Sequence, residues 1–578
     1  MRSVAELEAL GIGRGDLVAL ALAPDAGLAM ATVSGSVSIA AGDDDPFAVV
    51  RAVEEALRPR WVMWSNATAI ALVSAGVRVA TAWDLAAVSR LLFGGWRADP
   101  ARVWARLHDL PVDAIPSVQP IDLFNQLADG TSVAEPVRAD GYLDPDWVAG
   151  GWAESLERLT RWAALGFTVA ELQQARLAAL TDRPRAGATA RSESAAELLC
   201  AELSVDGLPV DRTVAEALIA AVVGPRPRSE AEANEQRAAR DAEVLRHAPP
   251  GGSWDLRSPG QVKALLHAVG VELPDTRAWR LETVRETHPL IPALLVWRKA
   301  ERVATTYGYA WLDENINEDG RLRGAWSGSD GAAGRMTASA GLHNMPADMR
   351  DAVVAESGYV FVRADLGQIE PRVLAAVSGD AALARASQEA DMYAPVAQTL
   401  GVDRATAKVA VLGAMYGQTT GHGARALKGL DTEYPVAMAY LQAADRSGQL
   451  GQSLRTYGGR LVNFGAITVD EYTDHRDTRA RAAAQGRYGR NAMVQGAAAE
   501  LFKAWAVTVR ARSAPFAARV VLCLHDELLV HVPVGNGDAV AQLLADCLRE
   551  AAHRWAPDDS VRFVADISVV HRWSDAKD

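Results

Sequence analysis

The sequence predicts an α/β domain over residues 1–190, followed by an α+β region over residues 191–578. Three observations support this prediction. The first 190 residues alternate apolar, strand-like runs with segments of helical spacing, and residues 195 to about 310 have mainly helical spacing. From about residue 311 onward, apolar strands alternate with strong helices. A chain of 578 residues also exceeds what one hydrophobic core usually serves, so we expect more than one domain.

The first domain opens with alternating apolar segments. LVALALAP and LAMATVSGSVSIAA predict a strand pair joined at Asp25–Gly27, and a helix and the strand WVMWS follow. A further helix is expected from Trp83 to Leu92. The segment Thr181–Ser194 has the Arg, Pro, Gly and Ser content that predicts a linker.

The later region places acidic residues at the ends of predicted strands. YVFVRAD predicts a strand that ends at Asp365, and QIEPRVLAAVSG predicts the helix after it. Asp403 is expected to cap a helix that runs to Tyr416. RVVLCL and LLVHVP flank His525, Asp526 and Glu527, which predicts a β-hairpin with the acids at its tip.

The net charge of −13 and the pI near 5.4 argue weakly against nucleic acid as a partner. This charge is a sum over the chain, however, whereas binding depends on where cations cluster. Arginines are dense from Arg455 to Arg512, and acids concentrate at Asp43–Asp45 and from Glu230 to Glu243. An acidic total with a basic groove is therefore compatible with DNA binding.

The three cysteines, Cys200, Cys523 and Cys547, are widely spaced and predict neither a disulfide framework nor a zinc site. The amino terminus lacks the basic and apolar regions of a signal peptide. No run approaches the roughly twenty apolar residues that span a bilayer. We expect a cytoplasmic protein that does not contact membranes.

Asp365 and Asp526 are candidate metal ligands. Phosphoryl transfer needs in-line positioning and two divalent cations on the attacking and leaving oxygens. Magnesium prefers hard carboxylate oxygens and keeps positions for water and phosphate, so two rigidly held aspartates suffice. Either aspartate alone is explained as well by a turn or a cap, so the interpretation depends on its surroundings.

The helix after Asp403 carries a stripe, formed by Arg404, Lys408, Leu412 and Tyr416 at intervals of four. Its two cations can hold a triphosphate, and the positions further along can lie beside a base and a sugar. The alternative is an amphipathic helix with solvated cations. The glycines next to Leu412 and Tyr416 weaken that alternative, because a glycine inside a helix costs about 1 kcal/mol.

Three motifs contain these residues: Asp365-Leu366-Gly367-Gln368-Ile369-Glu370-Pro371-Arg372, Arg404-xxx-Lys408-xxx-Leu412-Gly413-xx-Tyr416-Gly417 and Leu524-His525-Asp526-Glu527. They resemble the motifs of family A DNA polymerases, the bacterial DNA polymerase I type. Shorter matches are Leu256-Arg257-Ser258-Pro259, His288-Pro289-Leu290-Ile291, Gly334-Arg335-Met336-Thr337, Leu342-His343-Asn344-Met345-Pro346 and Arg487-xxx-Asn491-xxx-Gln495-Gly496. All occur in the family's order over residues 196–578.

The resemblance implies a metal-dependent DNA polymerase. Asp365, Asp526 and the backbone carbonyl of Leu366 would hold two Mg²⁺ ions, with Mn²⁺ as a substitute. Lys408 would also act as general acid on the pyrophosphate leaving group. The implied contacts to the deoxynucleoside triphosphate are Arg404, Lys408, Leu412, Tyr416, Gln368, Glu370, Tyr393 and His525. The implied contacts to primer-template DNA are Arg335, Asn344, Arg487, Asn491 and Gln495.

Simpler interpretations stay open for two of these residues. His525 fixes the hairpin in one alternative, and Gln368 caps the following helix in another. Glu370 would crowd the sugar 2′ position against Tyr416, which favours deoxynucleotides. Glu527 would support the site.

The resemblance also implies an architecture. A right-hand polymerase is expected over residues 191–578, with the thumb at about 195–310, the palm at about 311–390 and 490–578, and the fingers at about 391–489. Residues 1–190 resemble the RNase H-like 3′–5′ exonuclease domain that precedes such polymerases. We expect a monomer without a 5′-nuclease domain.

The sequence departs from the family at several positions. Leu412 stands where an aromatic residue is usual, Val411 where an Asn is usual, Tyr393 where a His is usual, and Pro371 where a Leu is usual. In the first domain, the Asp-x-Glu of an exonuclease is replaced by Ala-Pro-Asp-Ala-Gly from Ala23 onward. We therefore expect an inactive exonuclease domain and an atypical polymerase.

Two other classes of function remain. One is a DNA-binding protein that keeps the polymerase fold without catalysis. The other is a nuclease, or a bifunctional polymerase whose 3′–5′ exonuclease is active. Retention of Asp365, Lys408, Tyr416 and Asp526 together argues against the first, and the missing Asp-x-Glu argues against the second.

Overall fold

The structure is a computed structural model that describes residues 2–117, 135–417, 424–464 and 475–576. The described chain forms two compact units. The first contains residues 1–207, 325–338 and 357–570, and the second contains residues 208–324, 339–356 and 571–578. Parts of the predicted fingers, 418–423 and 465–474, lie outside the described residues. None of the described helices combines the length and the apolar character that a membrane crossing requires.

The amino-terminal sheet has five strands in the order β3-β2-β1-β4-β5. Its strands are β1 (Leu17–Ala23), β2 (Gly27–Thr32), β3 (Gly35–Ala40), β4 (Arg60–Met63) and β5 (Thr81–Asp84). β1 is antiparallel to β2 and parallel to β4, and β4 is parallel to β5. The predicted strand pair is thus a three-stranded meander, because the chain turns a second time at Ser34, where the Thr32 hydroxyl accepts backbone N–H groups.

Eight helices surround this sheet within the described residues up to Gly207. They are α1 (Arg2–Ala9), α2 (Pro46–Leu57), α3 (Asn66–Ser74), α4 (Leu85–Phe93), α5 (Pro100–Leu107), α6 (Pro145–Val148), α7 (Leu156–Ala178) and α8 (Ala186–Asp206). The helix expected from Trp83 begins at Leu85, because Trp83 and Asp84 complete β5 and Asp84 caps the helix. The predicted linker is wrong from Ala186 onward, because this alanine-rich stretch forms the buried helix α8. The expected domain boundary at residue 190 therefore falls inside a continuous helix.

The second unit is mainly helical. It contains α9 (Arg212–Val223), α10 (Glu230–Leu245), α11 (Pro259–Ala268), α12 (Ala278–Thr283), α13 (Leu290–Thr306) and α14 (Tyr309–Asn315), with β6 (Leu208–Pro209) paired to β7 (Arg321–Leu322). An apolar core that includes Leu265, Leu290 and Leu294 holds several of these helices together. The charge-rich helix α10 contributes Val244 to that core and exposes most of its remaining surface.

The carboxyl-terminal part of the first unit contains the sheet that carries the acids. Two short strands, β8 (Trp326–Ser327) and β9 (Thr337–Ala338), form a hairpin. The larger sheet has the order β13-β14-β10-β15, with β10 (Tyr359–Leu366), β13 (Arg519–Cys523), β14 (Glu527–Pro533) and β15 (Ala565–Val570). A further short hairpin joins β11 (Leu454–Arg455) to β12 (Leu461–Val462).

The helices of this part are α15 (Ile369–Ser378), α16 (Ala381–Ala386), α17 (Tyr393–Leu400), α18 (Arg404–Tyr416), α19 (Ala424–Glu433), α20 (Pro435–Gln449), α21 (His475–Ser513) and α22 (Gly537–Trp555). The long helix α21 packs against α8, α20 and α22. Strand β10 lies between β14 and β15, so the residues at its carboxyl end have neighbours on both sides. This position places Asp365 at the centre of the candidate site.

Candidate active site

Asp365 and Asp526 lie on adjacent strand ends, as the sequence predicts. Asp365 is opposite Glu527 on β14 and opposite Asp566 on β15. The backbone N–H of Leu366 donates to the carbonyl oxygen of Asp526 at 2.8 Å, which ties the end of β10 to the hairpin tip. Leu524 and Glu527 exchange backbone hydrogen bonds of 2.8 and 3.2 Å, so His525 and Asp526 occupy the two turn positions. The predicted hairpin is confirmed.

A buried arginine lies among these acids. The guanidinium of Arg363 donates to Glu527 at 2.8 Å, to Asp365 at 3.0 Å and to Asp566 at 3.4 Å. Arg363 is two residues before Asp365 on β10, and side chains two apart on a strand share a face. One cation therefore balances part of the charge of three carboxylates.

The electrostatics of the pair suit a divalent cation. Burial, and then the charge of Asp526, raise the pKa of Asp365 to about 7. Burial, and then Glu527, raise the pKa of Asp526 above its ordinary value. Close carboxylates that resist ionisation together are stabilised by a cation between them. Asp365 and Asp526 thus provide hard oxygen ligands of the type that Mg²⁺ prefers.

Among the described residues, no group of three or more His, Cys, Asp or Glu side chains is arranged to enclose a metal ion. Mg²⁺ in phosphoryl-transfer sites is bound by one or two carboxylates, and waters and substrate phosphates complete its shell. The donor set is therefore compatible with Mg²⁺ that is bound together with substrate.

Glu370, in the first turn of α15, is the centre of a second network. The hydroxyl of Tyr416 donates to Glu370 at 2.9 Å, and Arg335 donates to the other carboxylate oxygen at 3.0 Å. Gln495 also hydrogen-bonds the Tyr416 hydroxyl. Burial, and then Glu370, raise the pKa of Tyr416, so this hydroxyl keeps its proton and remains a donor. Four predicted site residues from four segments are thus brought together.

The loop before β9 holds Arg335 in this network. The Asp330 carboxylate accepts backbone N–H groups from Ala332 and Gly334 at 2.9 and 2.8 Å. Lys503 on α21 is buried and donates to the carbonyl of Gly334 at 2.7 Å. The charge of Lys503 is balanced by Glu193 at 2.5 Å. A buried ion pair therefore fixes the residue that precedes Arg335.

Helix α18 presents the predicted stripe. The Asp403 side chain accepts the Thr406 N–H at 2.9 Å, which confirms it as the helix cap. Arg404 and Lys408 are exposed, whereas Leu412 and Tyr416 are half-buried on the same face. Within the described part of the chain, Lys408 makes no hydrogen bond or ion pair, so its ammonium group is free to bind an anion.

Arg404 is linked to the acidic strand end through Asp391. Its guanidinium donates to Asp391 at 2.5 Å, and the amide of Gln368 donates to the same carboxylate at 3.1 Å. The Gln368 oxygen accepts the N–H of Met392 at 2.9 Å. Gln368 is thus not a side-chain cap of α15: it joins the end of β10 to the start of α17. Tyr393 is buried beneath Arg404, 5.7 Å from ring centre to guanidinium, and burial raises its pKa to about 12.

Arg372 fixes the backbone on both sides of this link. Its buried guanidinium donates to the carbonyls of Gly367 at 3.0 Å, Glu389 at 2.8 Å and Ala390 at 2.7 Å. Burial, and then Arg562, lower the pKa of Arg372 to about 10. The segments that carry Asp365 and Asp391 are therefore held by one side chain.

Helix α21 contributes the predicted DNA contacts Arg487, Asn491 and Gln495, which are spaced by four residues and share one face. A Cβ on Gly417 would lie 2.7 Å from the Arg487 side chain. Gly417 ends α18 in the left-handed region, with φ of 70°, so a glycine is needed there on both grounds. The carboxyl end of α18 thus meets the predicted DNA-contacting face of α21.

Two other predicted residues have different surroundings. His525 is in the hairpin turn, where burial, and then Arg335, lower its pKa. Asn344 belongs to the second compact unit, where its carbonyl accepts a hydrogen bond from Arg302 at 2.8 Å. The remaining predicted site residues belong to the first unit.

The amino-terminal domain has apolar packing on the strand where the Asp-x-Glu of an exonuclease would be expected. Ala21 and Ala23 on β1 are buried in a cluster that contains Trp83 and Trp162. Trp64 stacks on Trp162 with ring centres 4.6 Å apart. Asp25 is exposed in the turn after β1. The structure therefore places no carboxylate on this buried part of β1.

Asp84 is a buried helix cap. Its carboxylate accepts the Ala87 N–H at 2.7 Å, and its own N–H donates to the Ser194 hydroxyl at 3.0 Å. Burial, and then Glu197, raise the pKa of Asp84 to about 8. Glu197 is engaged by Asn66 at 2.9 Å and by Arg90 at 2.5 Å. Both acids thus have structural partners.

Sequence reasoning missed Arg363, Asp391 and Asp566 as site residues. The period-two pattern of the strand that ends at Asp365 could have placed Arg363 on the same face. Asp566 lies in a short alternating segment near the carboxyl terminus. Its place beside Asp365 could not be predicted, because the pairing of this segment with β10 joins residues about 200 positions apart. Asp391 had no local signal beyond its place before α17.

The acidic strand ends of the four-stranded sheet, the cationic helix α18 and the long helix α21 carry the three motifs and the Arg487–Gln495 match that resemble family A DNA polymerases. Residues 228–575 match the family described as DNA polymerase family A. The chain belongs to that family. The resemblance that the sequence motifs carry is therefore confirmed.

Individual relatives agree with this assignment. DNA polymerase I of Deinococcus radiodurans is 26% identical over 497 residues, which cover 79% of this chain and 48% of that protein. The thermostable DNA polymerase I of Thermus aquaticus is 30% identical over 382 residues, which cover 60% of this chain and 45% of that protein. The chain thus spans about half the length of these curated relatives.

A solved structure supports the fold. The chain is similar to the POL domain of Pol1 from M. smegmatis, in complex with DNA primer-template and dNTP, with a TM-score of 0.70 and 20% identity. The match covers 100% of this chain and 98% of that one. The family A polymerase fold is therefore shown.

Proposed function

We propose that this chain is a DNA-directed DNA polymerase that adds deoxynucleotides to a primer 3′ end and releases pyrophosphate. The observation that carries the proposal is the placement of Asp365 and Asp526 on adjoining strand ends of one sheet. Family membership and the Deinococcus and Thermus relatives support it. The substrates are primer-template DNA and deoxynucleoside triphosphates, and the chain acts as a monomer.

Asp365, Asp526 and the Leu366 carbonyl are the proposed ligands of two Mg²⁺ ions, and Mn²⁺ is a proposed substitute. When bound, the ions stabilise charge on the attacking and leaving oxygens. Arg404 and Lys408 bind the triphosphate from one face of α18. Lys408, which has no partner among the described residues, donates a proton to the leaving pyrophosphate.

Sugar selection follows from the Glu370–Tyr416 hydrogen bond. The bond joins a side chain of α15 to one of α18, so a 2′ hydroxyl placed there would meet a carboxylate that already accepts from Tyr416 and Arg335. Leu412 and Tyr393 form the apolar surroundings of the nucleotide. Gln368, whose side-chain oxygen accepts the Met392 N–H, and His525 in the hairpin turn are further proposed nucleotide contacts. Deoxynucleotides are therefore preferred.

The DNA contacts are Arg335, Asn344, Arg487, Asn491 and Gln495. Of these, Gln495 and Arg335 bond to the Glu370–Tyr416 pair, which would couple duplex geometry to the nucleotide site. Residues from about 195 to 310 serve as the thumb, 311–390 and 490–578 as the palm, and 391–489 as the fingers.

The amino-terminal domain, residues 1–190, is proposed as an RNase H-like 3′–5′ exonuclease fold without activity. The strand order 3-2-1-4-5, with β2 antiparallel, supports the fold. Apolar packing around Ala21 and Ala23 and the capping role of Asp84 support the loss of activity. A fold without its site does not carry the activity.

Primer extension tests the polymerase proposal. A labelled primer on four templates that differ at the first unpaired base is incubated with each deoxynucleotide and Mg²⁺. Extension by the complementary nucleotide alone supports the proposal. Asp365→Ala should remove extension while it leaves primer-template binding within about threefold, and Asp538→Asn, an exposed acid on α22, serves as the control. Equal extension by wild type and Asp365→Ala would contradict it.

The same reactions separate the two alternative functions. A DNA-binding protein with the polymerase fold would bind primer-template but extend no primer. A bifunctional enzyme would also shorten a mismatched primer or single-stranded DNA in the presence of Mg²⁺. We expect extension without shortening.

A further inference from the structure

An arginine-rich cavity of about 680 Å³ lies in the first compact unit, apart from the acidic strand ends. The ends of β4 and β5, the first turns of α8 and the last turns of α21 and α22 form its walls. Its arginines are Arg60, Arg185, Arg191, Arg510, Arg512 and Arg554. We call this space the arginine cavity. Its volume is in the range of pockets that bind nucleotide-sized ligands.

Three of these arginines form ion pairs with acids. Arg512 and Arg554 both pair with Glu550, and Arg510 pairs with Glu202 at 2.8 Å. These ion pairs explain why the three arginines lie there. Because Glu550 is shared by two arginines, these ion pairs balance two of the three positive charges.

The other three arginines have no carboxylate partner among the described residues. Arg185 donates to the carbonyl of Trp555 at 2.7 Å and stacks on Tyr457. The side chains of Arg60 and Arg191 make no hydrogen bond or ion pair within the described ranges. Burial, and then the nearby charge of Arg191, lower the pKa of Arg60. Two like charges near each other without a counter-ion cost free energy, which an anion between them would recover.

The other polar groups on the cavity walls do not balance the charge of these arginines. The hydroxyls of Thr81, Thr189, Ser192 and Thr508 donate to backbone carbonyls of the chain. Glu500 also lines the cavity, but burial raises its pKa to about 7 and its oxygens accept from Thr456 and the Gly458 N–H. The guanidinium groups are therefore the groups available to an incoming ligand.

We propose that the arginine cavity binds a small ligand with two or more phosphate groups, either inorganic pyrophosphate or a nucleotide. Guanidinium groups match phosphate oxygens in geometry and charge. The walls between the arginines consist largely of alanines, including Ala80, Ala188 and Ala504, and leave room for more than a phosphate group. The arginines line one bounded cavity, which favours a compact ligand over a DNA strand.

Isothermal titration calorimetry on the full chain, in EDTA, tests the site with sodium pyrophosphate and with dATP. The double variant Arg60→Gln/Arg191→Gln should bind pyrophosphate at least about tenfold more weakly than wild type. Arg404→Ala/Lys408→Ala, which removes the cations proposed at the polymerase site, should retain pyrophosphate binding. Arg549→Gln, on the exposed side of α22, should match wild type.

Comparison of the two ligands identifies the source of the phosphate. Equal affinities show that the phosphates alone are bound, and tighter binding of dATP shows that the nucleoside contributes; both support the proposal. The proposal is overturned when wild type does not bind pyrophosphate, or when Arg60→Gln/Arg191→Gln binds pyrophosphate as well as wild type does. It is also overturned when the double variant binds single-stranded DNA more weakly than wild type but keeps its affinity for pyrophosphate.

Thermal unfolding checks that the variants are folded. Removal of two unpaired like charges should leave Tm unchanged or raise it, and pyrophosphate should raise the Tm of wild type but not of the double variant. If the double variant does not fold, the single variant Arg191→Gln, at an exposed position, replaces it in the same measurements. We expect pyrophosphate to raise the Tm of this variant less than it raises the Tm of wild type. An unchanged response in that single variant would count against the site.

Discussion

The guanidinium of Arg363 donates a hydrogen bond to Glu527 at 2.8 Å, and their side chains are only 11% and 6% exposed. The same guanidinium reaches Asp365 at 3.0 Å. The acidic strand ends thus contain an internal counter-ion, which allows carboxylates to be buried together before any metal ion binds. Without it, the apo-protein would carry the charge repulsion uncompensated.

Removal of one member of this pair should destabilise the protein. We expect Arg363→Ala to lower the free energy of unfolding by about 3 kcal/mol, because Glu527 then keeps a buried charge without this cation. Arg363→Ala/Glu527→Ala should lose less than the sum of the two single variants. Denaturant unfolding of all four proteins measures the coupling, and additive losses would contradict a direct interaction.

Loss of the Glu370 carboxylate should relax sugar selection. Glu370→Ala removes the group that meets a 2′ hydroxyl, so the ratio of kcat/KM for deoxynucleotide over ribonucleotide should fall roughly 10- to 100-fold. Tyr416→Phe should have a smaller effect, because Arg335 still holds Glu370. Single-nucleotide incorporation measures the ratio, with Glu433→Ala as an exposed control. An unchanged ratio in Glu370→Ala would show that Glu370 does not select against the 2′ hydroxyl.

Burial of Asp84 should make stability depend on pH. Its folded-state pKa of about 8 lies above the ordinary value near 4, so the folded state keeps a proton that the unfolded state releases. The contribution of Asp84 to stability is therefore greatest below about pH 4 and is lost as pH rises towards 8. Asp84→Asn keeps the helix cap and removes the ionisation.

The free energy of unfolding of Asp84→Asn relative to wild type should consequently rise from pH 5 to pH 8, by at most roughly 1.4 kcal/mol per pH unit. Denaturant unfolding at the two pH values measures this difference. Asp25→Asn, at an exposed turn, should show no such trend. If the unfolding free energy of wild type instead rose relative to that of Asp84→Asn as pH increases, the carboxylate of Asp84 would be stabilised in its charged form.

Arg372 should be required for the alignment of two loops. Arg372→Ala removes hydrogen bonds to the carbonyls of Gly367, Glu389 and Ala390, and we expect a loss of about 3 kcal/mol in unfolding free energy. Arg372→Lys should recover only part of it, because an ammonium group cannot reach all of these carbonyls at once. If Arg372→Lys were as stable as wild type, the several hydrogen bonds of the guanidinium group would not be needed to hold the two loops.

The sequence predicted the site where its signals were local. Asp403 as a cap, the stripe from Arg404 to Tyr416 and the hairpin around Asp526 depend on spacing within about a dozen residues, and the structure has them as expected. The family motifs, which occur in order, supplied the connection between these segments.

Long-range features were not predictable in the same way. The contacts of Arg363 with Asp566, of Gln368 with Asp391, and of Lys503 with Gly334 join segments far apart in the sequence. The first part of the Ala186–Asp206 helix, up to Ser194, was predicted as a linker because the Arg, Pro, Gly and Ser content of Thr181–Ser194 was weighed above the helix propensity of its alanines. Each of these features depends on tertiary packing, which local sequence signals do not report.

The rate of a single turnover tests whether Asp365 and Asp526 form the metal-binding centre. With primer-template bound and Mg²⁺ and the complementary deoxynucleotide in excess, a rapid-quench measurement compares wild type with Asp526→Asn. We expect the rate of incorporation to fall by at least about a thousandfold, equivalent to roughly 4 kcal/mol in the barrier, while the Kd for primer-template stays within about threefold. A rate in Asp526→Asn within about tenfold of wild type would contradict the assignment of Asp365 and Asp526 as the metal-binding centre.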